Sequence, residues 1–133
     1  MKKKVLLATI VIMITGCADK QEYEQAVLDY VNQDKDLKDY KIAPEIMTKC
    51  VVTESSNNMP GLFAADPERM LAYRHYSKML KLNSSNDPKK TLEELRTEFG
   101  SPKALADAHA NFTETFMNCM SGLVSDTEEK KKN

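Results

Sequence analysis

Residues 105–123 read LADAHANFTETFMNCMSGL, and this stretch decides the fold class. Its apolar side chains recur at steps of three or four residues, which is the spacing of one face of an amphipathic α-helix. They are Leu105, Ala108, Phe112, Phe116, Cys119 and Leu123. No long stretch elsewhere alternates apolar and polar residues as a half-buried strand does, and glycine is scarce. The sequence therefore predicts an all-α protein.

Prolines mark where the other helices begin. Four Xaa-Pro pairs precede periodic segments: Ala43-Pro44, Asp66-Pro67, Asp87-Pro88 and Ser101-Pro102. Proline suits the first helical position, because its missing N–H would have no partner there. A preceding Asp or Ser accepts a hydrogen bond from a free backbone N–H.

These signals and the apolar periodicity predict one domain, a small bundle of four to five helices spanning residues 21–125. The helices are expected at about 21–33, 44–53, 67–82 and 88–99, followed by the helix that carries 105–123. Residues 55–61 should form a polar loop, since Met59-Pro60-Gly61 is a turn signal. The charged tail 126–133 has nothing apolar to bury and is expected to be disordered.

The first sixteen residues have the layout of an export signal. Three lysines at positions 2–4 precede an uncharged run from Val5 to Ile14, and the small residues Thr15 and Gly16 follow. The run is about half as long as the roughly 20 residues that a membrane-spanning helix needs. We therefore expect residues 1–16 to be removed rather than to remain as an anchor.

The sequence Ile14-Thr15-Gly16-Cys17 resembles the lipobox of bacterial lipoproteins. The resemblance implies cleavage before Cys17, a diacylglycerol on its thiol and a short lipidated tether at residues 17–20. In many Gram-negative bacteria an Asp after the lipidated Cys retains the protein at the inner membrane. Here Ala18 follows, which implies an outer-membrane lipoprotein that faces the periplasm. The alternative is an ordinary cleaved signal with a chance cysteine.

Composition limits the partners of the exported part. Without the signal, 16 basic residues face 20 acidic ones, a net charge of −4. This balance gives no basic face for nucleic acid and no polybasic patch for anionic lipid. Attachment to a bilayer must then depend on the acyl group of Cys17.

Cys50 and Cys119 remain after the lipidation site. Both fall on the predicted inward stripes of their helices, as a cross-link between two packed helices requires. In an oxidising compartment an even pair of cysteines favours a disulfide. Two buried free thiols are the alternative.

The histidines suggest neither catalysis nor a metal site. His75 and His109 are the only two, they belong to different predicted helices, and neither has a second ligand at metal spacing. His75 is expected at the surface or at its rim. No local catalytic signature accompanies them, so we predict that the protein is not an enzyme and needs no cofactor.

Two other constellations could bind metal. Asp34, Asp36 and Glu45 occupy three ligand positions of a calcium-binding loop, but Lys38 and Asp39 stand where that loop needs a ligand and a glycine. A solvated charged turn is the simpler interpretation.

The second constellation is Met117, Cys119 and Met120, with His109 two turns earlier. Soft thioether ligands suit Cu(I), but methionine also fills irregular cores. Periplasmic copper handling is therefore kept as an alternative function.

These observations predict a membrane-anchored envelope protein with an interaction or structural role. In size, anchor, helix content and cysteine pair the chain resembles secretin pilotins, small helical lipoproteins that escort secretin subunits by holding a helical tail. The resemblance covers the class of protein only and implies a protein partner in the envelope.

Overall fold

The protein is helical throughout the part that the structure describes. The computed structural model describes residues 15–132, and the side chains of residues 18–130. Six α-helices lie in this range: α1 Thr15–Gln33, α2 Lys35–Asp39, α3 Pro44–Asn57, α4 Pro67–Leu80, α5 Pro88–Glu98 and α6 Pro102–Lys132. A 3-10 turn, Leu82–Ser84, connects α4 to α5, and residues 15–132 contain no strand. The prediction of a small all-α bundle is confirmed.

The core lies where α1 packs against α3 and α4, and α6 covers α3. Tyr23 of α1 is fully buried at its centre. Its ring stacks on Tyr73 at a centroid distance of 5.6 Å and meets Tyr76 edge-on at 5.9 Å. Its hydroxyl lies 2.8 Å from Oγ of Ser55 in α3. One aromatic side chain thus joins α1, α3 and α4.

The helix directions place two segments at one end of the bundle. Tyr23, near the start of α1, meets Ser55, near the end of α3, so these two helices are antiparallel. In contrast, α4 runs parallel to α1: Asp19 pairs with Arg74 at 3.3 Å, and the later residue Ala26 lines a groove with Leu80. The start of α1 and the loop between α3 and α4 therefore share an end, which we call the N-terminal end of the bundle.

A disulfide joins α3 to α6, as the sequence predicted. The Cα atoms of Cys50 and Cys119 lie 5.9 Å apart, within the usual range for the bond. On the same face of α6, Phe112 and Phe116 meet the ring of Tyr30 edge-on, at 5.1 and 5.3 Å. The predicted apolar face of 105–123 is therefore the face that closes the bundle.

The four helix starts that the prolines predicted are confirmed. Asp66 accepts a hydrogen bond from the N–H of Glu68 at 2.9 Å, and Asp87 accepts one from Lys90 at 3.0 Å. Ser101 Oγ accepts from the N–H two residues after Pro102, at 3.0 Å. Each proline occupies the first turn of its helix, where its missing donor costs nothing.

Several predicted boundaries were wrong. Helix α3 continues to Asn57 instead of ending near Thr53, since the hydroxyls of Ser55 and Ser56 bond back to carbonyls one turn earlier. Both serines are buried, so the expected polar loop at 55–61 begins later. The short helix α2, capped by Asp34, was not predicted.

The two chain ends also differ from expectation. Helix α1 begins at Thr15, so the expected tether 17–20 has helical backbone. Helix α6 continues through the expected disordered tail to Lys132. After Gly122 no proline or glycine interrupts it, and the Glu and Lys residues there favour helix once a preceding turn exists. The signal run 5–14, residue 133 and the Cys17 side chain lie outside the described residues.

Within residues 15–132, no helix combines the length and the apolar composition needed to cross a membrane. Two large apolar side chains on these helices are exposed: Ile46 of α3 at 56 % and Leu71 of α4 at 44 %.

Candidate functional site

A groove of about 530 Å³ between α4, the end of α5 and the start of α6 is the first candidate site. We call it the His75 groove. Its walls carry apolar, neutral polar and acidic side chains, which include Leu71, His75, Tyr76, Phe99, Asn111, Glu68, Glu98 and Asp107. Helices α4 and α6 supply most of these, because the 3-10 turn and α5 bring the chain back along α4 before α6 begins.

Asn111 forms hydrogen bonds across the floor of the His75 groove. Its Nδ2 donates to the Tyr76 hydroxyl at 3.0 Å and to the Ser55 carbonyl at 3.3 Å. Its Oδ1 accepts from Nδ2 of Asn58 at 2.9 Å. Burial raises the pKa of Tyr76, although the bond to Asn111 opposes that effect. The floor is therefore uncharged at neutral pH, and its polar atoms already have partners within the protein.

His75 forms part of the wall and is half-buried. Its ring lies 5.4 Å from the ring of Phe99, tilted by 54°. Burial lowers the pKa of His75 below its ordinary value of 6.5, while the charge of Glu98 opposes the shift. The imidazole is therefore neutral at neutral pH. Its position at the groove rim agrees with the surface or rim placement expected from sequence.

The imidazole of His75 shares the groove with the carboxylate of Glu98, whose charge acts on it, and with the ring of Phe99. A catalytic base needs a nucleophile or substrate proton within hydrogen-bond reach, and usually a third group that orients it. Among the side chains of residues 18–130, none makes a hydrogen bond with the ring of His75. The groove instead offers a neutral imidazole beside the apolar surfaces of Phe99 and Leu71.

The structure does not assemble the copper ligands suggested by the sequence. Cys119 forms the disulfide and offers no thiolate. Met117 is exposed, whereas Met120 packs against the core. His109 and Met117 are eight residues apart on one helix, about 12 Å along its axis. In the part of the chain with described side chains, no three His, Cys, Asp or Glu residues are grouped as metal ligands.

The acidic residues before α3 have structural positions. Asp34 accepts a hydrogen bond from the N–H of Leu37 at 3.1 Å and so caps α2. Asp36 lies inside that helix, in its first turn, where a negative charge is favourable. The short helix α2 occupies the positions that a calcium-binding loop would need, where the sequence had suggested a solvated turn.

A second groove, of about 620 Å³, separates α1 from α3. Lys20 and Glu24 line one side and Lys49 the other, with Thr48 between them. The Thr48 hydroxyl is buried and has no hydrogen-bond partner among the described residues. Water is the simplest partner for it.

The loop between α3 and α4 is the third feature, and sequence reasoning missed it. We call residues 58–66 the apolar loop. Leu62 and Phe63 at its tip are 92 % and 62 % exposed, the two most exposed large apolar side chains among those described. Only a Pro-Gly turn was expected here. Two bulky apolar residues on no predicted helical stripe were the signal that could have identified the loop.

The apolar loop is held in shape by hydrogen bonds. Arg69 of α4 donates to the carbonyls of Pro60 at 2.7 Å, Met59 at 3.1 Å and Gly61 at 2.6 Å. Asp66 accepts from the N–H of Leu62 at 3.0 Å. Gly61 adopts φ +90°, and a Cβ there would lie 2.7 Å from the backbone nitrogen of Arg69. The loop therefore presents Leu62 on an ordered scaffold.

Comparisons of the chain with protein-family models, with curated proteins and with solved structures gave no match.

Proposed function

We propose that this protein is a lipid-anchored, non-catalytic binding protein of the bacterial cell envelope. The observation that carries the proposal is the lipobox-like sequence Ile14-Thr15-Gly16-Cys17, placed directly before the folded domain. Because α1 already includes residue 17, no flexible linker separates the proposed lipid attachment from the bundle. The domain then lies against the membrane surface, with the N-terminal end of the bundle closest to it.

The anchor would be strong enough for permanent attachment. Each buried methylene contributes about 0.8 kcal/mol, and a single acyl chain binds only marginally. A diacylglycerol on Cys17 brings two chains, which is the number that stable anchoring needs. Ala18 at the following position favours transport to the outer membrane, with the domain in the periplasm.

A binding role agrees with the chemistry of the His75 groove. Its floor is neutral and the hydrogen bonds of Asn111 are made internally. Phe99, Leu71 and the His75 ring offer a ligand apolar contact, and acidic side chains line the same groove. Such a surface suits a protein segment with an apolar face.

The test of the anchor uses the full chain in a Gram-negative host, fed with an alkyne-tagged fatty acid. We expect the wild-type chain to be labelled, to lose residues 1–16 and to sediment with the outer membrane. Cys17→Ala should abolish the label and leave the precursor unprocessed. The double variant Cys50→Ala/Cys119→Ala is the matched control, because it removes the other two cysteines and should keep the label. Unchanged labelling and fractionation of Cys17→Ala would refute the proposal.

A secretin pilotin-like role is the second candidate. The observation in its favour is the apolar wall between two helices, since a helical peptide can bury its apolar face in such a groove. Leu71→Glu would place a charge on that wall, whereas Lys89→Glu changes an exposed residue of α5 outside it. If secretin is the partner, pull-downs from envelope extracts should recover it with the wild type and Lys89→Glu but not with Leu71→Glu. Recovery of no secretin by the wild type removes this candidate.

A further inference from the structure

The tip of the apolar loop combines exposure with the absence of charge. Residues 59–65 read MPGLFAA and contain no charged side chain. Leu62, Phe63, Ala64 and Ala65 are all exposed. Single exposed apolar residues are normal on protein surfaces. Here four consecutive exposed apolar residues lie at the tip of a loop, in a chain of which 29 % is charged. Together they form a local apolar surface of the kind that binds a partner.

The loop lies at the same end of the bundle as the proposed lipid attachment. The stacked rings of Tyr23 and Tyr73 relate the levels of the parallel helices α1 and α4. Pro67 starts α4 six residues before Tyr73, about 9 Å further toward the N-terminal end, at 1.5 Å per residue. Cys17 lies six residues before Tyr23, also about 9 Å further in the same direction. The apolar loop precedes Pro67 and so extends at least as far as the proposed lipid attachment.

We propose that Leu62 and Phe63 form a second membrane contact, inserted into the interfacial layer of the bilayer that holds the acyl chains of Cys17. The inference rests on the proposed lipidation. Apolar and aromatic side chains favour this layer. An acylated Cys17 would keep the loop beside the bilayer, so that insertion becomes an intramolecular step at high effective concentration.

Hydrogen bonds within the loop already satisfy part of its backbone. An unpaired carbonyl or N–H that leaves water costs free energy. In the apolar loop Arg69 already satisfies the carbonyls of residues 59–61, and Asp66 satisfies the N–H of Leu62. The loop can therefore lose water at its tip without leaving these polar groups unpaired.

A second membrane contact would fix the orientation of the domain on the bilayer. A single lipidated residue leaves the domain free to rotate about its attachment, whereas a second contact fixes its orientation. Pro60 of the loop also lines the His75 groove. Membrane contact at the loop would then hold one mouth of that groove close to the bilayer.

The chain contains no tryptophan, which allows a direct test. Phe63→Trp places a single fluorophore in the loop. Tyr40→Trp is the matched control: Tyr40 is 51 % exposed and follows α2, beyond the end of α1 and about 20 Å from the level of Asp19. Both full-length proteins are purified from membranes after processing. They are then reconstituted into phosphatidylcholine vesicles with and without brominated acyl chains, and the mass of each sample reports acylation.

For acylated protein we expect blue-shifted emission of the Phe63→Trp variant, quenched by the brominated chains, and neither effect for Tyr40→Trp. Adding Leu62→Ser to Phe63→Trp should reduce the quenching. Emission of Phe63→Trp that matches the control in acylated protein overturns the loop contact and leaves the anchor intact. A blue shift without bromine quenching would indicate contact with protein and also overturns it. An unmodified Cys17 mass refutes the anchor itself, and this inference with it.

Discussion

Removing the Cys50–Cys119 disulfide should lower the stability of the domain by a large part of its total. The bond joins residues separated by 69 positions. In the chain-entropy model a closed loop of 15 residues contributes about 3 kcal/mol and one of 100 residues about 4.7 kcal/mol. The logarithmic dependence gives about 4 kcal/mol for this loop. Small domains have total stabilities of about 5–15 kcal/mol, so the bond accounts for a large share.

Two perturbations separate the cross-link from packing. Cys50→Ala/Cys119→Ala removes the bond and two sulfur atoms, of which that of Cys119 belongs to a buried residue. Reduction of the wild-type protein removes the bond alone. Both should lower the free energy of unfolding by about 4 kcal/mol, with a somewhat larger loss for the double variant because it leaves a small cavity.

The assay is urea unfolding followed by far-ultraviolet circular dichroism, on chain produced without residues 1–17. With a slope of about 2 kcal/mol per molar urea, typical of small proteins, the midpoint should fall by about 2 M. A loss below about 1 kcal/mol under both perturbations would refute the reasoning. It would mean that the reduced unfolded chain already holds α3 and α6 together, or that the native bond stores compensating strain.

Other substitutions test the core, the loop and the groove by the same unfolding assay. Gly61→Ala should lower the free energy of unfolding by about 1–3 kcal/mol, because the positive φ of this residue disfavours a side chain. Gly122→Ala, in open helix, should instead raise it by about 0.5–1 kcal/mol. Equal effects of the two substitutions would contradict the structure. Tyr23→Phe should lower the free energy of unfolding by about 1 kcal/mol, and Ser55→Ala should lower it by about 1–3 kcal/mol. A double-mutant cycle should show coupling between the two substitutions. Additive losses would show that the two hydroxyls do not interact. For His75, an NMR titration should give a pKa below 6.5. Since the unfolded chain then binds the proton more readily, stability should decrease as the pH falls below about 6.5, and His75→Gln should lose this part of the pH dependence.

The helix starts marked by proline and the disulfide could be predicted because their signals are local or unambiguous. Asp66 and Asp87 each precede a proline, and the capping bond they make spans two or three residues. With Cys17 assigned to lipidation, Cys50 and Cys119 left a single possible pair. Neither inference needed knowledge of how the helices are arranged.

The candidate site could not be predicted in the same way. The partners in the His75 groove are distant in sequence: Asn111 bonds to Tyr76 and to the Ser55 carbonyl, 35 and 56 residues away. No spacing rule relates such positions. Ser55 looked like a loop residue because serine is usually solvated, but its hydroxyl has both a carbonyl one turn earlier and the Tyr23 phenol as partners.

The sequence by itself determined the helical class, the helix starts marked by proline and the cysteine pair. These depend on apolar spacing over a few turns and on the chemistry of single residues, which the chain carries in any fold. Only the tertiary structure decided that α1 and α4 run parallel, so that the apolar loop and the start of α1 share one end. Helix direction and packing depend on which side chains meet across the core. The contacts of Tyr23 with Ser55 and Tyr73 are of this kind, and no local sequence pattern predicts them.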